Sequence, residues 1–108
     1  MGRHILVVMT NAAEGQDSEF NEWYTNTHLR EVIDIPGFVA AQRFKLADTQ
    51  IGGPNEYQYL AIYEIEAADA GTALKALQDA RPHLKMTDAL AAKRDLWAYT
   101  PIGDRVTA

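Results

Sequence analysis

Apolar residues recur along this chain with two periods, one of two and one near 3.6, and the switches between them mark out its elements. Arg3 to Thr10 is a near-continuous run of Val, Ile, Leu and Met, the pattern of a strand covered on both faces. After the polar stretch from Asn11 to Gln16, Asp17 or Ser18 stands where a helix N-cap belongs, and Glu19 and Glu22 follow in favour of the macrodipole. Pro36-Gly37 stops this first helix. Phe38 to Leu46 alternates as a second strand, and Ala47 to Glu56 reads as a loop with Gly52-Gly53-Pro54 at its tip. Tyr57 to Glu66 has aromatic and β-branched residues on both parities, which predicts an inner strand buried on both faces. A second helix is expected from Ala68 to Ala80, with Ala70, Ala73, Leu74, Leu77 and Ala80 on one side and Pro82 ending it. A short helical segment over His83 to Ala92 and a fourth strand in "DLWAYTPI" complete the chain before a polar tail.

The order β-α-β-β-α-β predicts an α+β, ferredoxin-like fold, a single domain over residues 1–108 with one four-stranded antiparallel sheet and both helices on one face. The other face is apolar as well. Ile5, Val7 and Met9 alternate with Leu6 and Val8, and Leu60 and Ile62 alternate with Tyr59, Ala61 and Tyr63. A bare apolar face of that size exceeds what a soluble monomer normally shows, so a homodimer is expected to cover it.

The first helix carries a second irregularity. On a 100° wheel Phe20, Trp23, Tyr24, Thr27, His28 and Glu31 share one side, whereas Leu29, Val32 and Ile33 point the other way. A straight helix cannot bury both sets against one sheet, which predicts a break or sharp bend near Thr27 to Leu29 with His28 beside it.

Charge and composition narrow the chemistry. The formal net charge is −5, with acids and bases mixed along the chain, which argues against nucleic acid. The apolar run "HILVVM" is too short for a membrane span or a signal-peptide core, and a cytoplasmic protein is expected. There is no cysteine, the only serine is Ser18 at the helix start, and no Gly-rich nucleotide cradle occurs. His, Tyr, Arg, Asn and the carboxylates are what remains. His28 and Glu31, three residues apart, lack a clear third partner for a metal, so no metal is expected.

The stretch "FNEWYTNTHLREVIDIPGFVAAQRF", followed later by "YLAIYEIE", resembles the EthD-like branch of the dimeric α/β-barrel proteins. The resemblance follows element order over residues 3–101 and is strongest from Trp23 to Phe44; many members have Pro directly after His-Leu, where this chain has Arg30. It implies a homodimeric barrel with a small-molecule cavity between sheet and helices in each subunit. The superfamily holds cyclases, isomerases, a lyase, cofactor-free oxygenases, haem-degrading enzymes and members without known activity. His28 matches its recurrent histidine, Tyr24 its recurrent tyrosine, and His83 stands where some cyclase-like members carry a working histidine.

Together these readings predict acid–base chemistry without a cofactor on a small, partly aromatic or ketide-like carbonyl compound: a dehydratase, cyclase, isomerase or lyase. His28 moves the proton, Tyr24 orients it or donates to a developing oxyanion, and Arg43 or Asn11 steadies a carbonyl oxygen. Trp23, Tyr59, Tyr63, Trp97 and His83 are the further candidates for the lining, with Tyr59 and Tyr63 on one sheet face and Trp97 and Tyr99 on another. The alternatives are a non-catalytic binding or assembly module and a cofactor-free or haem-dependent monooxygenase.

Overall fold

A computed structural model describes residues 2–108 of the chain. The strands β1 (Gly2–Thr10), β2 (Phe38–Lys45), β3 (Tyr59–Ala67) and β4 (Asp95–Tyr99) form one antiparallel sheet in the order β2-β3-β1-β4. Between β1 and β2 run α1 (Asp17–Trp23), a π-helical turn (Tyr24–His28) and α2 (Leu29–Ile33); α3 (Ala70–Ala80) follows β3. This is the ferredoxin-like order anticipated from the periodicity.

Register assigns the two faces. Leu6 lies opposite Tyr63 and Ala98, and Val8 opposite Ala61 and Leu96, so these side chains share the face on which the helices pack. Phe20, Val32 and Ala73 meet them from the helical layer and are buried with them. The other parity, including Val7, Ile62, Phe44, Leu60 and Trp97, faces outward. Trp97 and Tyr99 are each 55% exposed there, so within one chain β3 and β1 are covered on the helix face alone.

The helical stretch is continuous where a break was expected. Its phase changes through the π turn, in which the Leu29 amide bonds to the carbonyl of Tyr24, five residues back. One extra residue in that turn rotates everything downstream by about 100°. Leu29 and Val32 thereby return to the side of Phe20 and Tyr24, and all four pack in one core.

Three local expectations are corrected. Neither Asp17 nor Ser18 caps α1: the helix begins after Gln16, and the Asp17 carboxylate instead accepts a bond from the Tyr59 hydroxyl at 2.6 Å. Strand β3 begins at Tyr59, and the Asn11 side chain takes the backbone just ahead of it, donating to Glu56 O and accepting from Gln58 N, both at 2.8 Å. No helix forms over His83 to Ala92; a single 3-10 turn at Arg81–His83 gives way to an irregular strap. The strap's backbone bonds elsewhere, Ala13 N donating to Ala89 O at 2.6 Å and Ala91 N to Asn11 O at 3.0 Å.

Gly37 follows Pro36 with φ at +97°, and a Cβ there would lie 3.2 Å from the Cβ of Ala73. Glycine thus satisfies both the turn and the close approach of α3.

Candidate functional site

Between the helix face of the sheet, the π turn, the end of α3 and the strap lies a cavity of about 380 Å³. Its wall is apolar for the most part, with Leu6, Val8, Leu77, Leu84, Met86 and Leu90 among the lining residues. Trp23, Tyr24 and His28 enter from the helix, Tyr63 from β3, Thr10 from β1, and Arg81 and Arg94 from either end of the strap.

The imidazole of His28 is held by rings. Trp23 stacks on it at 4.6 Å with 22° between planes, and Tyr24 meets it edge-on at 4.9 Å. Its Nδ1 is buried without a hydrogen-bond partner among the described residues. Leaving such a nitrogen unpaired costs about 1–3 kcal/mol. Burial pushes the histidine pKa down from 6.5 to about 4, with nearby Glu31 opposing and Arg94 reinforcing the shift. His28 is therefore a neutral imidazole at physiological pH.

Two tyrosines share one bond beside it. Tyr63 Oη donates to Tyr24 Oη at 3.1 Å, and burial raises both phenols above their ordinary value, with the cation of Arg43 opposing in each. Tyr24 so keeps its proton, and that proton is not required by Tyr63. The Tyr24–Tyr63 pair can donate one hydrogen bond to an oxygen in the cavity.

Lys85, in the strap, is gripped from both sides. Its amide donates to Glu31 Oε1 and Oε2 at 3.1 and 3.2 Å, and its carbonyl accepts from Trp23 Nε1 at 2.8 Å. Trp23 thus fixes the strap with its polar edge and the imidazole with its face.

Of the anticipated site residues, the structure brings together Trp23, Tyr24, His28 and Tyr63. It does not bring Arg43, Asn11, Tyr59, His83 or Trp97 to this cavity. Arg43 bonds to Asn21 Oδ1 at 2.8 Å and Thr25 Oγ1 at 3.0 Å, and its guanidinium lies 4.6 Å from the Tyr24 ring centre, behind the site. Asn11 holds the loop before β3, Tyr59 bonds to Asp17 and Asn21, and His83 is exposed on a separate shallow groove. Trp97 belongs to the open sheet face. Arg81 and Arg94 are the additions. Arg81 stands two residues before His83 in "RPHL", a segment whose basic character was visible in the sequence.

No family profile matches the chain, and no curated protein matches it. Solved structures do. A haem degrader from Mycobacterium tuberculosis, holding two haems in its active site, superposes with a TM-score of 0.66 at 14% identity, over 95% of this chain and 99% of that one. A cofactor-independent oxygenase from Streptomyces nogalater gives 0.60 at 16%, over 96% and 97%. An EthD-like protein from Ralstonia eutropha gives 0.60 at 17%, over 97% and 96%. The fold is ferredoxin-like. An EthD-like protein among the neighbours is consistent with the resemblance carried by Trp23 to Phe44. At these identities the ferredoxin-like architecture is what is shared.

Among the described residues no group of three or more His, Cys, Asp or Glu is placed to hold a metal ion, and no helix is long and apolar enough to cross a membrane.

Proposed function

We propose that the chain is a cytoplasmic homodimeric enzyme that moves a proton on a small, partly aromatic carbonyl compound, without a cofactor. The observation that carries this reading is His28, a neutral imidazole clamped between Trp23 and Tyr24 on the wall of an apolar cavity. A cavity of about 380 Å³ falls within the usual range for small-molecule sites.

The imidazole takes a proton from carbon next to the carbonyl, the C–H electron pair passes to the carbonyl oxygen, and the Tyr24 hydroxyl donates a hydrogen bond to the enolate so formed. Returning the proton to a different atom isomerises the compound; returning it to a leaving hydroxyl dehydrates it. Negative charge developing on the substrate raises the basicity of the nearby imidazole, offsetting the depression that burial imposes. The same enolate is the species that a cofactor-independent oxygenase would offer to oxygen, so neighbours of that kind are compatible with the set.

The homodimer rests on the open sheet face. Val39, Phe44, Trp97 and Tyr99 are exposed on or beside it, and half-buried Leu60 and Ile62 lie among them. A second copy would cover this face.

His28→Gln tests the reading, because glutamine can hydrogen-bond but exchanges no proton near neutral pH. Exchange of α-hydrogens of small aryl ketones with deuterated solvent, followed by NMR, should be catalysed by the wild type and fall about 10²- to 10⁴-fold in the variant. Equal rates in both would overturn the assignment. Haem titration should produce no stoichiometric absorption band; such a band would overturn the cofactor-free part.

A further inference from the structure

We propose that the ligand of this cavity carries a carboxylate, bound by Arg94 with Arg81 beside it, on an otherwise apolar or aromatic body. The inference rests on the cavity being the substrate site and adds the substrate's charge.

The chain has 15 Asp and Glu against 10 Lys and Arg, yet no acidic side chain lines the cavity among the described residues, while two arginines do. Of the other arginines, Arg30 and Arg105 are exposed and do not line the cavity, while Arg43 and Arg3 are engaged. Arg43 has Asn21 and Thr25 as partners and lies among three aromatic rings, and Arg3 pairs with Glu66 at 3.4 Å. Arg94 is half-buried, and neither it nor Arg81 makes an ion pair or a side-chain hydrogen bond among the described residues.

Position adds direction. Arg94 precedes β4 by one residue and shares the parity of Leu96 and Ala98, which face the helices. Its charge is felt at both His28 and Tyr24, so an anion held there sits beside the groups assigned to proton transfer. A guanidinium half-withdrawn from water into an apolar cavity gains most from a planar bidentate partner, and a carboxylate has that geometry. The leucines and Met86 around it favour an apolar body and disfavour a second charge.

The matched pair 1-naphthoate and 1-naphthamide tests this, since the two differ chiefly in charge. Calorimetric titration of the wild-type protein should show naphthoate binding about tenfold more tightly. Arg94→Gln should bring that preference below about twofold, weakening naphthoate more than naphthamide, while Arg94→Lys keeps part of it. Arg81→Gln should have the smaller effect. Should Arg94→Gln fail to fold by circular dichroism, the Lys variant and Arg81→Gln carry the comparison. Equal binding of both probes to wild type, binding of neither, or a preference intact in the Arg81→Gln, Arg94→Gln double variant overturns the proposal. His28→Gln separates it from the proton-transfer reading: naphthoate preference retained with α-hydrogen exchange unimpaired would sink the latter and leave the anion site standing.

Discussion

The two faces of the sheet are made of similar side chains and have opposite fates. Leu6, Val8 and Tyr63 on one are sealed beneath helices and a strap; Val7, Ile62 and Trp97 on the other are left open. Apolar character alone does not distinguish them. What differs is that the helix face meets aromatic and titratable groups delivered by the π turn, whereas on the open face only the end at Met9, Phe44 and Leu60 meets the loop before β3, and Trp97 and Tyr99 stay exposed. One face encloses a cavity; the other lies open.

Four measurements press on that contrast. The largest effect is expected at Phe20, fully buried and packed against Tyr24 and Tyr59 at 5.6 and 5.1 Å. Phe20→Ala should cost about 3–5 kcal/mol in urea denaturation, a large share of the roughly 5–15 kcal/mol that holds a domain folded. Ile62→Glu, on the open face, should leave the spectrum of the fold intact while weakening self-association by about a hundredfold or more. Light scattering would show the wild type at twice the 12.0 kDa chain mass and the variant at the chain mass; a monomeric wild type breaks the comparison.

Acid should act on the helix face. His28 titrates near 6.5 when unfolded and near 4 when folded, so below 6.5 the unfolded chain takes up a proton that the folded chain refuses. The contribution of the neutral imidazole is complete above pH 6.5 and is lost progressively down to about pH 4, a fall of roughly 3 kcal/mol. His28→Gln should flatten that part of the stability profile, and an unchanged slope would place the titrating group elsewhere. The smallest effect is expected for Trp23→Phe, which keeps a ring against His28 but removes the bond to the Lys85 carbonyl. It should cost about 1 kcal/mol and speed hydrogen exchange in the strap selectively.

Element order was legible because β1 and β3 alternate over nine residues each, long enough for parity to show. The phase change in the first helix was legible too, but not its cause. A kink and a one-residue insertion both redirect Leu29 and Val32, and only the backbone bonding tells a π turn from a break. Trp23, Tyr24 and His28 could be grouped because one helical stripe carries them. Arg94 could not, because its place depends on long-range bonds between the strap and residues 11–13, which leave no local pattern. Arg43 and Asn11 have the right chemistry for a site, and the partners that claim them lie some twenty to fifty residues away.

The chain has two tryptophans, and they fall on different faces: Trp23 against His28 in the cavity, Trp97 on the open sheet. Intrinsic fluorescence is thereby divided between two events. Self-association over the open face would dry the Trp97 indole and shift its emission to the blue. A molecule entering the cavity, or a strap letting go of Lys85, would alter the surroundings of Trp23. Trp97→Phe leaves a protein whose remaining indole reads the cavity alone, so ligands can be screened by light whatever the reaction turns out to be.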